Sequence, residues 1–168
     1  MRLLGGTGDK IYLEFFLSSA PNNVSAILHL VDRGAFTGLR PRRLTEPLGL
    51  LIDPVVKDAD PAAGCALAAE LSSRRILRGT IISHPLHGGG GRLFIAGRPL
   101  PEWEGRVTVL GRVLLGQRAL GGLDVDTKLD LITGQDFPAD DPLRGRDTIY
   151  GWLQGRGLEA LAGHCLCC

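Results

Sequence analysis

Aromatic rings, lysines and distributed cysteines are scarce in this chain, and each shortage narrows what it can be. Aromatics supply only 5% of the 168 residues, so every large ring carries an unusual share of the packing. No apolar run approaches the roughly 20 residues that a membrane-spanning helix requires. The opening MRLLGGTGDK has neither an apolar signal-peptide core nor an amphipathic Arg/Ser-rich transit segment. Cys65, Cys165, Cys167 and Cys168 do not form the spaced framework of a secreted disulfide scaffold, which points to a reducing intracellular compartment, cytoplasm or organelle. A formal net charge of +1 excludes a long basic or acidic tail.

Only Lys10, Lys57 and Lys128 of the nineteen basic residues are lysine; the rest are arginine. Biased base composition in the gene accounts for this, but arginine is also the planar, bidentate partner of phosphate and carboxylate. Two clusters stand out, Arg40–Arg42–Arg43 and Arg74–Arg75–Arg78, which would suit RNA contact within a larger particle.

Twenty-four glycines and ten prolines favour many turns over long helices, hence a mainly β domain. Ile11 to Leu17 has apolar residues on both faces, as a central strand does. Ser18 or Ser19 can cap the next element, Pro21 suits a first helical turn, and Val24, Ile27, Leu28 and Val31 recur at helical spacing before Gly34. Strands are expected within Leu39–Leu44, Leu48–Val56, Ile76–Ser83, Leu93–Ala96 and Arg106–Leu114, with Leu129–Ile132 a turn or short strand and Thr148–Leu153 closing the sheet. Ala62 to Leu71 are strong helix formers apart from Gly64, predicting a short helix near 60–72, and Gln117–Leu123 predicts a strained one. Residues 1–155 read as one domain and 156–168 as a short Cys-rich tail.

Several motifs resolve into nothing chemical. Gly5–Lys10 lacks the spacing and the Ser/Thr of a phosphate loop. His164–Cys168 holds soft ligands but lacks the paired CxxC spacing of a zinc site, and Leu-Cys-Cys is a poor lipidation ending. No metal or cofactor is expected.

The stretches Ile11–Leu44 and Gly91–Gly116 carry a more specific signal. Ala20-Pro21, a helix over Asn22–Arg33, the step Gly34-Ala35-Phe36-Thr37-Gly38 and the strand Pro41-Arg42-Arg43 follow in order, as do Leu93-Phe94-Ile95, Gly105 and Val109-Leu110-Gly111-Arg112-Val113. The whole resembles a cyclophilin, the β-barrel family of peptidyl-prolyl cis-trans isomerases, over roughly Ile11 to Leu123. The resemblance implies an eight-stranded antiparallel barrel, closed and capped by two helices, with Arg43 at the catalytic arginine and Phe94 at the floor of the proline pocket.

Rotation about an X-Pro bond breaks amide resonance against about 18–20 kcal/mol. A guanidinium that donates to the prolyl nitrogen stabilises the twisted state over either planar one. The chemistry therefore needs an arginine beside an apolar hole, and no metal. Against the family's pattern, Leu48 replaces the pocket phenylalanine, Gly49 a methionine, Leu51 the glutamine that holds substrate backbone, and Val107 a histidine, while Trp103 is shifted by one position. These departures predict a divergent cyclophilin-like protein with weak or no isomerase activity, serving as a structural or protein-interaction subunit of a larger assembly. The alternative is an active prolyl isomerase using Arg43.

Overall fold

The computed structural model describes residues 2–5, 10–45, 48–55, 67–83, 91–122 and 129–132. Its strands are β1 (Arg2–Gly5), β2 (Lys10–Phe15), β3 (Arg42–Leu44), β4 (Gly49–Ile52), β5 (Thr80–Ser83), β6 (Leu93–Ala96), β7 (Val109–Leu115) and β8 (Leu129–Ile132). They form one antiparallel sheet in the order β3-β4-β6-β5-β7-β2-β1-β8. Helix α1 covers Pro21–Asp32, a 3-10 turn covers Pro101–Trp103, and α2 covers Gln117–Gly122. Among the described residues no ladder joins β3 to β8, so the sheet they form is not closed by hydrogen bonds, unlike the closed barrel expected. The strand expected at Thr148–Leu153 lies outside the described residues, as do the Cys-rich tail and Cys65. Strand β1, which the glycine-rich N-terminus did not suggest, pairs with both β2 and β8.

Every residue of β4 and β6 is buried, so both faces of the sheet centre carry a core. Alternation sends Leu50, Ile52, Ile81, Leu93 and Ile95 to one face, where they pack with Val24, Ile27, Leu28, Leu30 and Val31 of α1. Leu51, Ile82, Phe94 and Ala96 go to the other, where they meet Ile76, Leu100, Val107 and Val109.

Helix α1 ends as its glycine predicts. Gly34 adopts φ +71, its N–H donates to the Val31 carbonyl, and Ala35 N–H donates to Leu30 O at 2.9 Å; this pair of reversed bonds closes a Schellman motif. The start differs from expectation, because Ala20 is the N-cap residue and no side chain of its own turn caps the helix. Glu70, 47 and 48 residues away in sequence, does so instead. Its carboxylate accepts from the backbone N–H groups of Asn22 at 3.1 Å and Asn23 at 2.9 Å, and from both asparagine side-chain amides. A negative charge at the positive end of the helix dipole adds to the effect of the hydrogen bonds. Ser19 has another partner, accepting from Arg74 Nε at 3.0 Å.

This clamp explains why the helix expected near 60–72 is absent over its described part. Residues 67–75 carry no helix, and Leu71 is bridged to Thr108. Glu70 N–H donates to Thr108 Oγ1 at 2.8 Å, the Ala68 carbonyl accepts from Asn23 Nδ2, and Ile76 N–H donates to Glu104 Oε1 at 2.9 Å. Tertiary partners satisfy backbone groups that a helix would have paired internally, and propensity is the weaker effect. Residues 60–66 of that expected helix lie outside the described residues.

Glu70→Ala should lower stability to urea by about 2 kcal/mol, the typical effect of losing charge-assisted hydrogen bonds at a cap. Arg98→Ala, which removes an exposed i,i+4 pair with Glu102, should cost less than about 0.5 kcal/mol. Equal losses from the two substitutions would refute the clamp.

Candidate functional site

Register decides where the expected site residues go. Phe94 on β6 stands opposite Leu51 on β4 and Ile82 on β5. Across the next ladder Leu51 pairs with Arg42, whereas Arg43 pairs with Leu50. Successive strand residues face opposite sides, so Arg42, not Arg43, shares the face of Phe94. Arg42 is committed to an ion pair, donating from Nη2 to Asp53 Oδ2 at 2.7 Å, and Arg92 Nε meets the other oxygen at 2.9 Å.

On the Phe94 face, Phe94, Leu51 and Val107 join one buried cluster with Trp103 packed against it. The rings of Phe94 and Trp103 lie 5.7 Å apart, tilted by 55°, a favourable aromatic geometry. Trp103 sits in the 3-10 turn opened by Pro101, and Leu100 before it donates its N–H to the Ile76 carbonyl. The cover is complete: Phe94 is 0% exposed. Phe94, expected at the pocket floor, is enclosed by these neighbours.

Gly49 is what lets the ring lie there. A Cβ at this position would stand 2.6 Å from Phe94 Cε2 and closer still to Cζ, with Ile95 O at 2.7 Å. The Phe94 ring occupies the space a side chain at 49 would take. In sequence Gly49 registers only as a missing wall, and that the floor would move into the gap is a packing outcome.

Arg43 and Leu48 come together elsewhere. Leu48 is 43% exposed, and the two line a pocket of about 140 Å³ with Leu50, Ile95, Gly97 and, from across the chain, Arg78. Leu120 and Gly121 of α2 complete it, and Arg43 Nη2 donates to their carbonyls at 3.4 and 3.1 Å. A cation at the end of a short helix is favourably placed to bond its last carbonyls. Sequence reasoning missed Arg78 and α2 as neighbours of Arg43; only the grouping of Arg78 with Arg74 and Arg75 marked it. Those two are engaged locally: Arg74 stacks 3.9 Å over the Phe16 ring, and Arg75 lies 4.0 Å from Glu104. Among the described residues no three His, Cys, Asp or Glu side chains gather as metal ligands, and no helix is long and apolar enough to cross a membrane.

No family model matches the sequence, and no curated protein matches it. Solved structures do. A cyclophilin-type peptidyl-prolyl cis-trans isomerase of Cryptosporidium parvum, in the presence of the dipeptide Ala-Pro, superposes with a TM-score of 0.58 at 18% identity, over 88% of this chain and 91% of that one. A second structure of the same isomerase gives 0.57 at 18% identity, over 88% and 90%. A cyclophilin of Hirschia baltica gives 0.61 at 13% identity, over 83% of this chain and 76% of that one. The fold is therefore cyclophilin-like, carried by a sequence far diverged from these neighbours.

Gly49→Met should destabilise the protein by about 1–3 kcal/mol, as overpacking of a filled core does. In a Phe94→Ala background the ring is gone and the penalty should shrink by at least about 0.5 kcal/mol, the coupling expected of residues in contact. The same penalty in both backgrounds, measured by urea denaturation, would show that Phe94 does not occupy that space.

Proposed function

We propose that the chain is a divergent cyclophilin-like protein with weak or no prolyl isomerase activity, serving as a structural or protein-interaction subunit of a larger assembly. The domain is taken to span 1–155, with the short tail after it. The observation that carries this reading is the separation of the two required parts. Isomerisation needs a guanidinium beside an open apolar hole. Here Phe94 lies under Trp103 with no exposed surface, Arg43 is ordered on the opposite face by the carbonyls of α2, and Arg42, which shares the Phe94 face, is paired with Asp53.

The departures at Leu51 and Val107 fit the same reading. Both side chains are buried among apolar neighbours and offer no donor to a substrate backbone. The arginine clusters favour a protein partner over RNA, because Arg42, Arg74 and Arg75 already meet Asp53, Ser19 and Glu104 within the chain. Exposed apolar side chains at Leu71, Leu77, Leu114 and Leu115 supply surface for a protein contact.

NMR exchange spectroscopy on Xaa-Pro peptides tests the catalytic half of the proposal. The full chain should leave cis-trans exchange unaccelerated, as should Arg43→Ala. Acceleration that Arg43→Ala abolishes would establish the alternative, an active isomerase using Arg43. The assembly half is tested by size-exclusion chromatography of native extract, where the protein should elute well above its 18.0 kDa mass. Elution as a monomer would overturn it.

A further inference from the structure

We propose that residues 67–75 form a strap that opens as one unit while the sheet stays folded, with the Glu70 carboxylate as the catch that holds it shut and Ile76 as the pivot that stays in place. The argument starts from how the segment is attached. No residue from 67 to 75 is buried, and Leu71, its one large aliphatic side chain beyond Leu67, is 56% exposed. The segment carries no strand ladder, only the isolated bridge from Leu71 to Thr108. Among the described residues it is therefore held by polar contacts rather than by apolar burial.

Those contacts fall at two places. Glu70 sits at the first, with its carboxylate on the backbone and side-chain amides of Asn22 and Asn23 and its own N–H on Thr108 Oγ1. Arg74 sits at the second, with its Nε on Ser19 Oγ and its guanidinium 3.9 Å over the Phe16 ring. Segments with few buried apolar contacts are the ones that open below the free energy of global unfolding. Charge-assisted bonds are the stronger kind and exposed cation–π pairs the weaker, so Glu70 is the catch and Arg74 the secondary hold.

The next residue ends the unit. Ile76 is 0% exposed within the Phe94 cluster, its N–H donates to Glu104 Oε1, and its carbonyl accepts from Leu100 N–H. Beyond it a tight turn fixes the chain to β5: Thr80 N–H donates to the Leu77 carbonyl, Leu77 N–H donates to Thr80 Oγ1, and Gly79 takes φ +83. Opening therefore frees the Phe16 ring from Arg74 and strips the first turn of α1 of its cap in one movement, while the core beneath Ile76 stays packed. This conformational device stands apart from the isomerase question, since none of its contacts involves Arg43 or Phe94.

Native-state amide hydrogen exchange, followed by NMR on the full-length isotope-labelled protein, tests it. The N–H groups of Asn22, Asn23 and Glu70 should exchange with one common opening constant, well above that of the Ile76, Leu100 and Val113 N–H groups. Arg74→Ala, which touches none of the first three, should speed all of them by a common factor of about threefold and leave Ile76, Leu100 and Val113 unchanged. Glu70→Ala should speed exchange of the residue 70 N–H by about tenfold or more, although its acceptor on Thr108 is intact. Three results would each overturn the proposal: no response of Asn22, Asn23 and Glu70 to Arg74→Ala, which would make the two holds independent; an unchanged residue 70 N–H in Glu70→Ala, which would remove the catch; or Ile76 and Leu100 opening together with the strap, which would remove the pivot.

Discussion

Burial of the sheet centre on both faces is the constraint from which the rest follows. With every residue of β4 and β6 inside, each face needs its own cover, and the two covers come from distant parts of the chain. Helix α1 lies on one side, while the segment carrying Ile76 and the 3-10 turn carrying Trp103 lie on the other. Glu70 ties them together, with its carboxylate on the first turn of α1 and its N–H on Thr108. A single acidic residue therefore couples the helix side of the sheet to the strap on the reverse side, and the non-helical course of residues 67–72 is the consequence.

Sorting of residues between those two faces is what separates the candidate chemistry. An isomerase site built on this fold needs its arginine and its aromatic floor to converge. The ladder instead sets Arg42 in line with Leu51 and Phe94, and Arg43 in line with Leu50 and Ile95. A shift of one residue in the pairing of β3 would exchange the two arginines. Gly49 completes the change by giving the Phe94 ring room to lie on the backbone of β4. The burial of Phe94 and the placement of Arg43 on the other face are set by two separate features, the space at Gly49 and the register of β3.

The arginines illustrate how charge is used when lysine is scarce. Arg42 and Arg92 share Asp53, Arg74 reaches both Ser19 and the Phe16 ring, and Arg112 meets Glu14 at 2.7 Å. Each is an exposed or half-exposed contact whose individual contribution is small, but together they orient loops around a sheet with few large rings. Arg43 and Arg78 differ in lining a common recess.

Much of this was legible in the sequence for a local reason. Two-faced apolar strands at Ile11 and Leu93, the helical spacing from Val24 to Val31 and the terminating Gly34 depend on near neighbours in the chain, and all appear close to where they were expected. Phe94, Leu51, Val107 and Trp103 were singled out through the family resemblance, and they pack together. Four things were not: the remote cap at Glu70, the non-helical course of residues 67–75, the side of the sheet to which Arg43 points its bonds, and the occupation by Phe94 of the space above Gly49. By itself the sequence determined a cyclophilin-like β fold and the residue types of a possible site, because apolar periodicity and turn chemistry are short-range properties. Only the tertiary structure decided which arginine meets which face, because register and packing depend on contacts between residues far apart in the chain.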